Sequence, residues 1–169
     1  MKTNPCTWCH DQNNPKSRTC MLGLLVIGDQ LVASWSLASW SELSSGERWN
    51  ATIAIAEPFT AFLDGTVVVQ NKTEVAGKVA LIWKNTITSG ELAGNVGYSA
   101  KAKAASSAGA IGVIFVNDDE VNANDVIQMG TNGEAVQIPV LMVSHNEGVR
   151  LKDLGSGTPV VITAGQCVP

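Results

Sequence analysis

The chain has 169 residues, 15% of them charged, and a formal net charge of -4. That is the length of one ordinary domain able to bury its own core, and the charge balance offers no basic patch for nucleic acid or an acidic membrane surface. Hydrophobic residues reach 45%, yet the apolar run Met21–Gly28 falls far short of the ~20 residues that a membrane-spanning helix needs, so no membrane span is expected.

Texture divides the chain into three parts: a head containing Cys, Asn and Pro (Met1–Cys20), a Ser/Trp-rich stretch (Met21–Trp49) and a longer body (Asn50–Pro169). The expected organisation is a head and arm over residues 1–49 and a folded domain over residues 50–169. Met21–Gly28, preceded by Lys16 and Arg18, imitates the apolar core of a secretory signal. Asp29 and a polar start argue against cleavage, so the chain reads as a mature product without its own targeting signal. Ala-Ser-Trp-Ser occurs at Ala33–Ser36 and again at Ala38–Ser41, too short and too few in copies for an architectural repeat. Trp35, Trp40 and Trp49 are expected to be strand or loop aromatics partly buried against the body.

Trp49–Pro58 alternates small polar and apolar residues before a proline stop, and Thr66–Gln70 is β-branched behind the turn-forming Asp64-Gly65; both are expected to be antiparallel strands. Lys78–Trp83 and Ile111–Asn117 are continuous apolar runs, the pattern of strands covered on both faces. Between them Tyr98–Gly109 places Tyr98, Ala102, Ala105 and Ala108 on one helical face, with Gly109 to stop the helix. Strand, helix and strand in that order predict a parallel crossover. Asn117–Gln137 is acidic and aperiodic, a long surface loop. Ile138–Val143 reads as another buried strand, followed by Ser144 and Glu147 at capping-box spacing and a helix to Leu154 ended by Gly155. The last strand is Pro159–Ala164, with Cys167 just beyond it.

These segments together resemble the protease-associated (PA) domain family. The matching positions are Gly77 and Lys78, Tyr98 and Lys101, Ala108 to Gly112, Asn117, Ile138 to Val140, Ser144, Gly148 and Leu151. The resemblance covers about Asn50 to Ala164 and implies a mixed α/β fold: a PA-like β-sandwich or open barrel with two or three flanking helices. It also implies a non-catalytic role, since such domains sit beside protease or receptor modules, where they bind peptides, shape access or mediate assembly. The chain departs from the family at Val96, where many members carry a Cys before the aromatic, and in its longer Gly-rich loop, Thr86–Gly97.

Four cysteines remain to be assigned: Cys6, Cys9, Cys20 and Cys167. Cys6-Thr7-Trp8-Cys9-His10 has the spacing that attaches haem covalently, with His145, Met21, Met129 or Met142 as a second axial ligand. Haem needs an apolar pocket, however, and the apolar faces of these strands are already committed. Zinc held by Cys6, Cys9, His10 and Cys20 mismatches the usual paired spacing, and a redox pair would want its cysteines at the start of a helix following a strand. Two disulfides in an oxidising compartment are the preferred reading, with Cys167 joined to Cys6, Cys9 or Cys20. No cofactor or metal is expected.

Asn50 and Asn71 head Asn-x-Thr triplets, the acceptor pattern for N-linked glycan. Ser144-His145 lacks the flanking glycines of a nucleophile elbow, having Met142 and Asn146 there instead. Asp118, Asp119, Glu120 and Asp125 lack the order of a calcium loop and read as a solvated surface, and Gly155–Gly157 reads as a turn. The expectation is therefore a non-enzymatic, extracellular or lumenal module that binds protein or peptide, including copies of itself. The alternatives are a subunit of an extracellular homopolymeric filament or surface assembly, and a small c-type cytochrome using Cys6, Cys9 and His10.

Overall fold

Strands that bury both faces must be covered on both, and the middle of this molecule is arranged around that requirement. The structure, a computed structural model, describes residues 19–20, 24–32, 34–38, 41, 48–84, 97–127, 129, 135–163 and 167–168. In chain order its elements are β1 (Thr19–Cys20), β2 (Leu24–Ile27), β3 (Gln30–Leu31), β4 (Trp35–Leu37), β5 (Arg48–Ile55), β6 (Phe62–Leu63), β7 (Thr66–Val67), α1 (Lys72–Val75), β8 (Val79–Trp83), α2 (Tyr98–Ser107), β9 (Gly112–Val116), β10 (Val140–Val143), α3 (His145–Leu154), β11 (Pro159–Thr163) and β12 (Cys167–Val168).

One sheet of eight strands runs in the order β3-β2-β11-β5-β8-β9-β10-β4 and curls into a half-barrel. Its centre, β5-β8-β9-β10, is parallel, and its flanks β4, β11, β2 and β3 are antiparallel. The period of two along each strand sorts side chains to opposite faces. Ala80, Ile82, Val113, Phe115, Val140 and Met142 point to a core shared with Ala102 and Ala105 of α2. Leu81, Ile114, Val116, Leu141 and Val143 point to a second core closed by Leu151 of α3. The Ala-rich face of α2 lets that helix lie close to the sheet, as the spacing of Tyr98, Ala102, Ala105 and Ala108 predicts.

Three differences from the sequence expectation follow from pairing. β5 is antiparallel to β11 yet parallel to β8, because it is the strand at which the sheet changes direction. Of Thr66–Gln70 only Thr66–Val67 forms a strand, in a hairpin with β6 outside the main sheet. Its two-residue turn has Asp64 at φ 48° and Gly65 at φ 79°, the paired left-handed geometry that suits Asp-Gly. The apolar run near the start enters the sheet as β2, with Leu25 and Ile27 fully buried. No helix among the described residues is long and apolar enough to cross a membrane. Trp40, Met21 and most of the Gly-rich loop before α2 lie outside the described residues.

Candidate functional site

The first site residues to place are the cysteines. β1 pairs antiparallel with β12 so that Cys20 stands directly opposite Cys167. Directly opposed residues in an antiparallel pair have Cα atoms roughly 4.5–5.5 Å apart, inside the roughly 4.4–6.8 Å that a disulfide spans. The backbone register thus brings Cys20 and Cys167 to positions whose spacing suits a crosslink. Cys6, Cys9 and His10 lie outside the described residues. Met129 and Met142, weighed as axial ligands, are fully buried among the apolar side chains on the α2 side of the sheet.

The two acceptor asparagines occupy different environments. Asn50 is exposed on β5, and its Oδ1 accepts from Arg48 Nε at 3.4 Å. Asn71 precedes α1, and its amide is fully engaged. Its Oδ1 accepts from the Glu57 backbone N–H at 2.9 Å, and its Nδ2 donates to the Ile55 carbonyl at 2.8 Å and to Glu74 Oε2 at 3.1 Å. Bonding the carbonyl of one residue and the N–H two residues on is what a neighbouring strand would do, so this side chain extends the pairing of β5 past its last residue.

The Ser144-His145 pair proves to be a helix start. Ser144 Oγ accepts from the Glu147 backbone N–H at 3.3 Å, satisfying one of the orphan donors of α3. Glu147 does not complete the box, since its carboxylate binds Arg150 one turn along instead. His145 stacks edge-on against Trp83 at 5.3 Å between centroids, and Trp83 in turn meets Phe59 at 5.0 Å. Both His145 Nδ1 and Trp49 Nε1 are buried without a hydrogen-bond partner among the described residues.

Lys101 is the polar side chain that sequence reasoning placed without a role. It comes from the inward face of α2 and is only 2% exposed. Its Nζ donates to the carbonyl of Lys84 at 2.7 Å and reaches that of Trp83 at 3.5 Å, tying α2 to the end of β8. Burial pulls its pKa down from 10.5 to about 8, against the opposing pull of Asp118. Asp118 itself is held by Lys84 Nζ at 2.9 Å. Tyr98, one turn back, is raised from 10.0 to about 12, by burial first and by Asp118 second. An apolar helix face interrupted by one lysine was the available signal.

The acidic segment is ordered by its own hydrogen bonds. Asn117, 1% exposed, donates from Nδ2 to the Asp125 carbonyl and accepts the Asp119 N–H at Oδ1. Asp119 accepts from Asn122 Nδ2 and from the N–H groups of Asn122 and Val121; these bonds, the Asn122 side chain foremost, hold its carboxyl below the usual range. No group of three or more His, Cys, Asp or Glu among the described residues is placed to hold a metal ion. Ser144, Asn71, Lys101 and Asn117 are thus committed to a cap, a bracket, a strand end and a loop.

A curled mixed sheet with a helix packed on each face defines an α/β module. The family model described as "PA domain" matches residues 41–151, and the chain belongs to that family. A search of curated proteins finds no match to the sequence. Among solved structures, BSAP, a zinc aminopeptidase from Bacillus subtilis, is similar over 89% of this chain and 31% of its own, at 22% identity and TM-score 0.59. A psychrophilic subtilisin-like protease from an Antarctic Pseudoalteromonas is similar over 88% of this chain and 33% of its own, at 16% identity and TM-score 0.59. The chain thus spans about a third of these structures, and the likeness is one of fold.

Proposed function

We propose that the chain is a non-catalytic protein-interaction module of the extracellular space or secretory lumen, tied by a Cys20–Cys167 disulfide, carrying N-linked glycan and binding protein or peptide, copies of itself included. The observation that carries this reading is membership of the PA family over residues 41–151. Three features support it. The neighbours of known structure are peptidases in which a unit of this shape is about a third of the whole. The described ends, Thr19–Cys20 and Cys167–Val168, lie paired side by side, which suits a module set against a larger partner. The hydroxyl of Ser144 serves as a cap.

The test combines intact mass with and without reductant, peptide-hydrolysis assays and light scattering on the purified full chain. The expected results are a mass that rises by two hydrogens per crosslink on reduction, no peptide turnover, and a defined complex with protein or with itself. Four free thiols in protein recovered from its native compartment would overturn the crosslinked, secreted reading. Turnover that tracks the purified chain would overturn the non-catalytic one.

A further inference from the structure

We infer that Asn50 is the residue that carries glycan in the folded protein and that Asn71 is reserved as a structural bracket, a deduction that rests on the secretory reading above. Both asparagines have the acceptor triplet, so sequence does not separate them. Their amide nitrogens do. Asn71 Nδ2 spends both hydrogens, one on the Ile55 carbonyl and one on Glu74 Oε2, while its Oδ1 takes the Glu57 N–H. Asn50 is exposed, and its Nδ2 has no hydrogen-bond partner among the described residues; only its Oδ1 is engaged, by Arg48 at 3.4 Å.

The modification acts on that nitrogen. In transfer from a lipid-linked oligosaccharyl diphosphate, the N–C1 bond forms as the C1–O bond to phosphate breaks. The electron pair leaves with the diphosphate, and one Nδ2 proton passes to a base of the transferase. The product keeps a single N–H. At Asn50 no Nδ2 bond among the described residues is lost. At Asn71 either the Ile55 bond or the Glu74 bond is lost, and a sugar must fit where an acceptor oxygen stands at 2.8 or 3.1 Å. A chain modified there cannot close the bracket between the end of β5 and the start of α1, so molecules that reach the folded state are those with Asn71 free.

The experiment uses the full chain fused to a cleavable secretory leader in a glycosylating host, so that acceptance is scored independently of the native destination. Asn50→Gln and Thr52→Ala each erase the first triplet. Asn71→Gln erases the second triplet and the bracket together, whereas Thr73→Ala erases only the triplet, from an exposed position on α1. Intact masses of secreted protein, before and after glycosidase, are expected to show one glycan on the wild type, on Thr73→Ala and on Asn71→Gln, and none on Asn50→Gln or Thr52→Ala. After deglycosylation Asn71→Gln is expected to melt below wild type, whereas Thr73→Ala, which keeps the bracket, melts at the wild-type temperature. Glycan on secreted Asn50→Gln or Thr52→Ala protein, an unmodified wild type, or an Asn71→Gln midpoint equal to wild type would each overturn the inference. Failure of the secretory reading shows separately, as free thiols in the native protein while the leader-fused series still gives the expected pattern.

Discussion

Among the described glycines, Gly148 of α3 is the one whose missing Cβ would meet its neighbours most closely, and replacing it with alanine gives the sharpest test of how that helix sits. A Cβ built there falls 1.9 Å from Val116 Cγ1, 2.6 Å from Cγ2 and 2.8 Å from Cβ of the same valine. Carbon atoms prefer about 3.5–4.0 Å. Rotating Val116 does not cure the clash, because its own Cβ is among the close atoms and its side chain is fully buried in β9. The helix must therefore lift by roughly 1–1.5 Å, a gap that forfeits a quarter to a half or more of each contact it opens. Leu151, fully buried beneath α3, contributes about 1.5–3 kcal/mol by its burial and loses part of that. With the ~1–3 kcal/mol typical of overpacking, and up to ~1 kcal/mol returned by the better helix propensity of alanine, the net loss is about 1–3 kcal/mol. For a domain of this size that is a fall of roughly 2–12 °C in Tm, read by thermal melts and by urea midpoints at unchanged slope. Val116→Ala removes two of the three close atoms, so Gly148→Ala should cost less in that background than in wild type. A Gly148→Ala protein as stable as wild type would refute the packing of α3 on β9.

Three further outcomes are expected. Lys101 holds its proton less tightly folded, near 8, than its ordinary 10.5, so between those values the unfolded chain binds more protons and stability rises with pH, with no contribution to the slope below about 8. Above about 10 Tyr98 opposes this, because its folded value near 12 makes the native state bind more protons there. Lys101→Met should flatten the rise in urea midpoint from pH 8 to 10, and a persistent rise would assign it to other groups. Ser144→Ala should cost about 1 kcal/mol by freeing the Glu147 N–H, with Ser144→Thr restoring most of it; equal urea midpoints for all three proteins would remove the cap. Cys20→Ser should lower stability under oxidising conditions by up to about 5 kcal/mol in the chain-entropy model, since the loop closed is nearly the whole chain, and should match Cys167→Ser. Unequal losses in the two variants would assign the crosslink to another pair.

Much of this architecture was legible because its determinants are local. The buried strands Val79–Trp83, Gly112–Val116 and Val140–Val143 are continuous apolar runs, and α2 and α3 begin and end within a residue or two of their sequence signals, Gly109 at φ 89° and Gly155 at φ 81° included. The candidate site was less legible. Asn71-Lys72-Thr73-Glu74 has the spacing of a helix cap, but the same letters spell a glycan acceptor. In the fold the Asn71 side chain makes no cap bond to α1, and its amide is taken instead by Glu57 and Ile55, more than a dozen residues away. Lys101 looks like a solvent-facing charge until the carbonyls at the end of β8 are brought to it.

By itself the sequence determined periodicities, stops and caps, because those are set by neighbours a few positions apart along the backbone. Only the tertiary structure decided that β5 has a parallel neighbour on one side and an antiparallel one on the other, that Leu24–Ile27 is a strand of the main sheet, and that Cys20 faces Cys167. The physical reason is that strand partners are chosen by the burial of whole faces and by closing loops across most of the chain. Those energies belong to the assembled sheet and to no single segment of it.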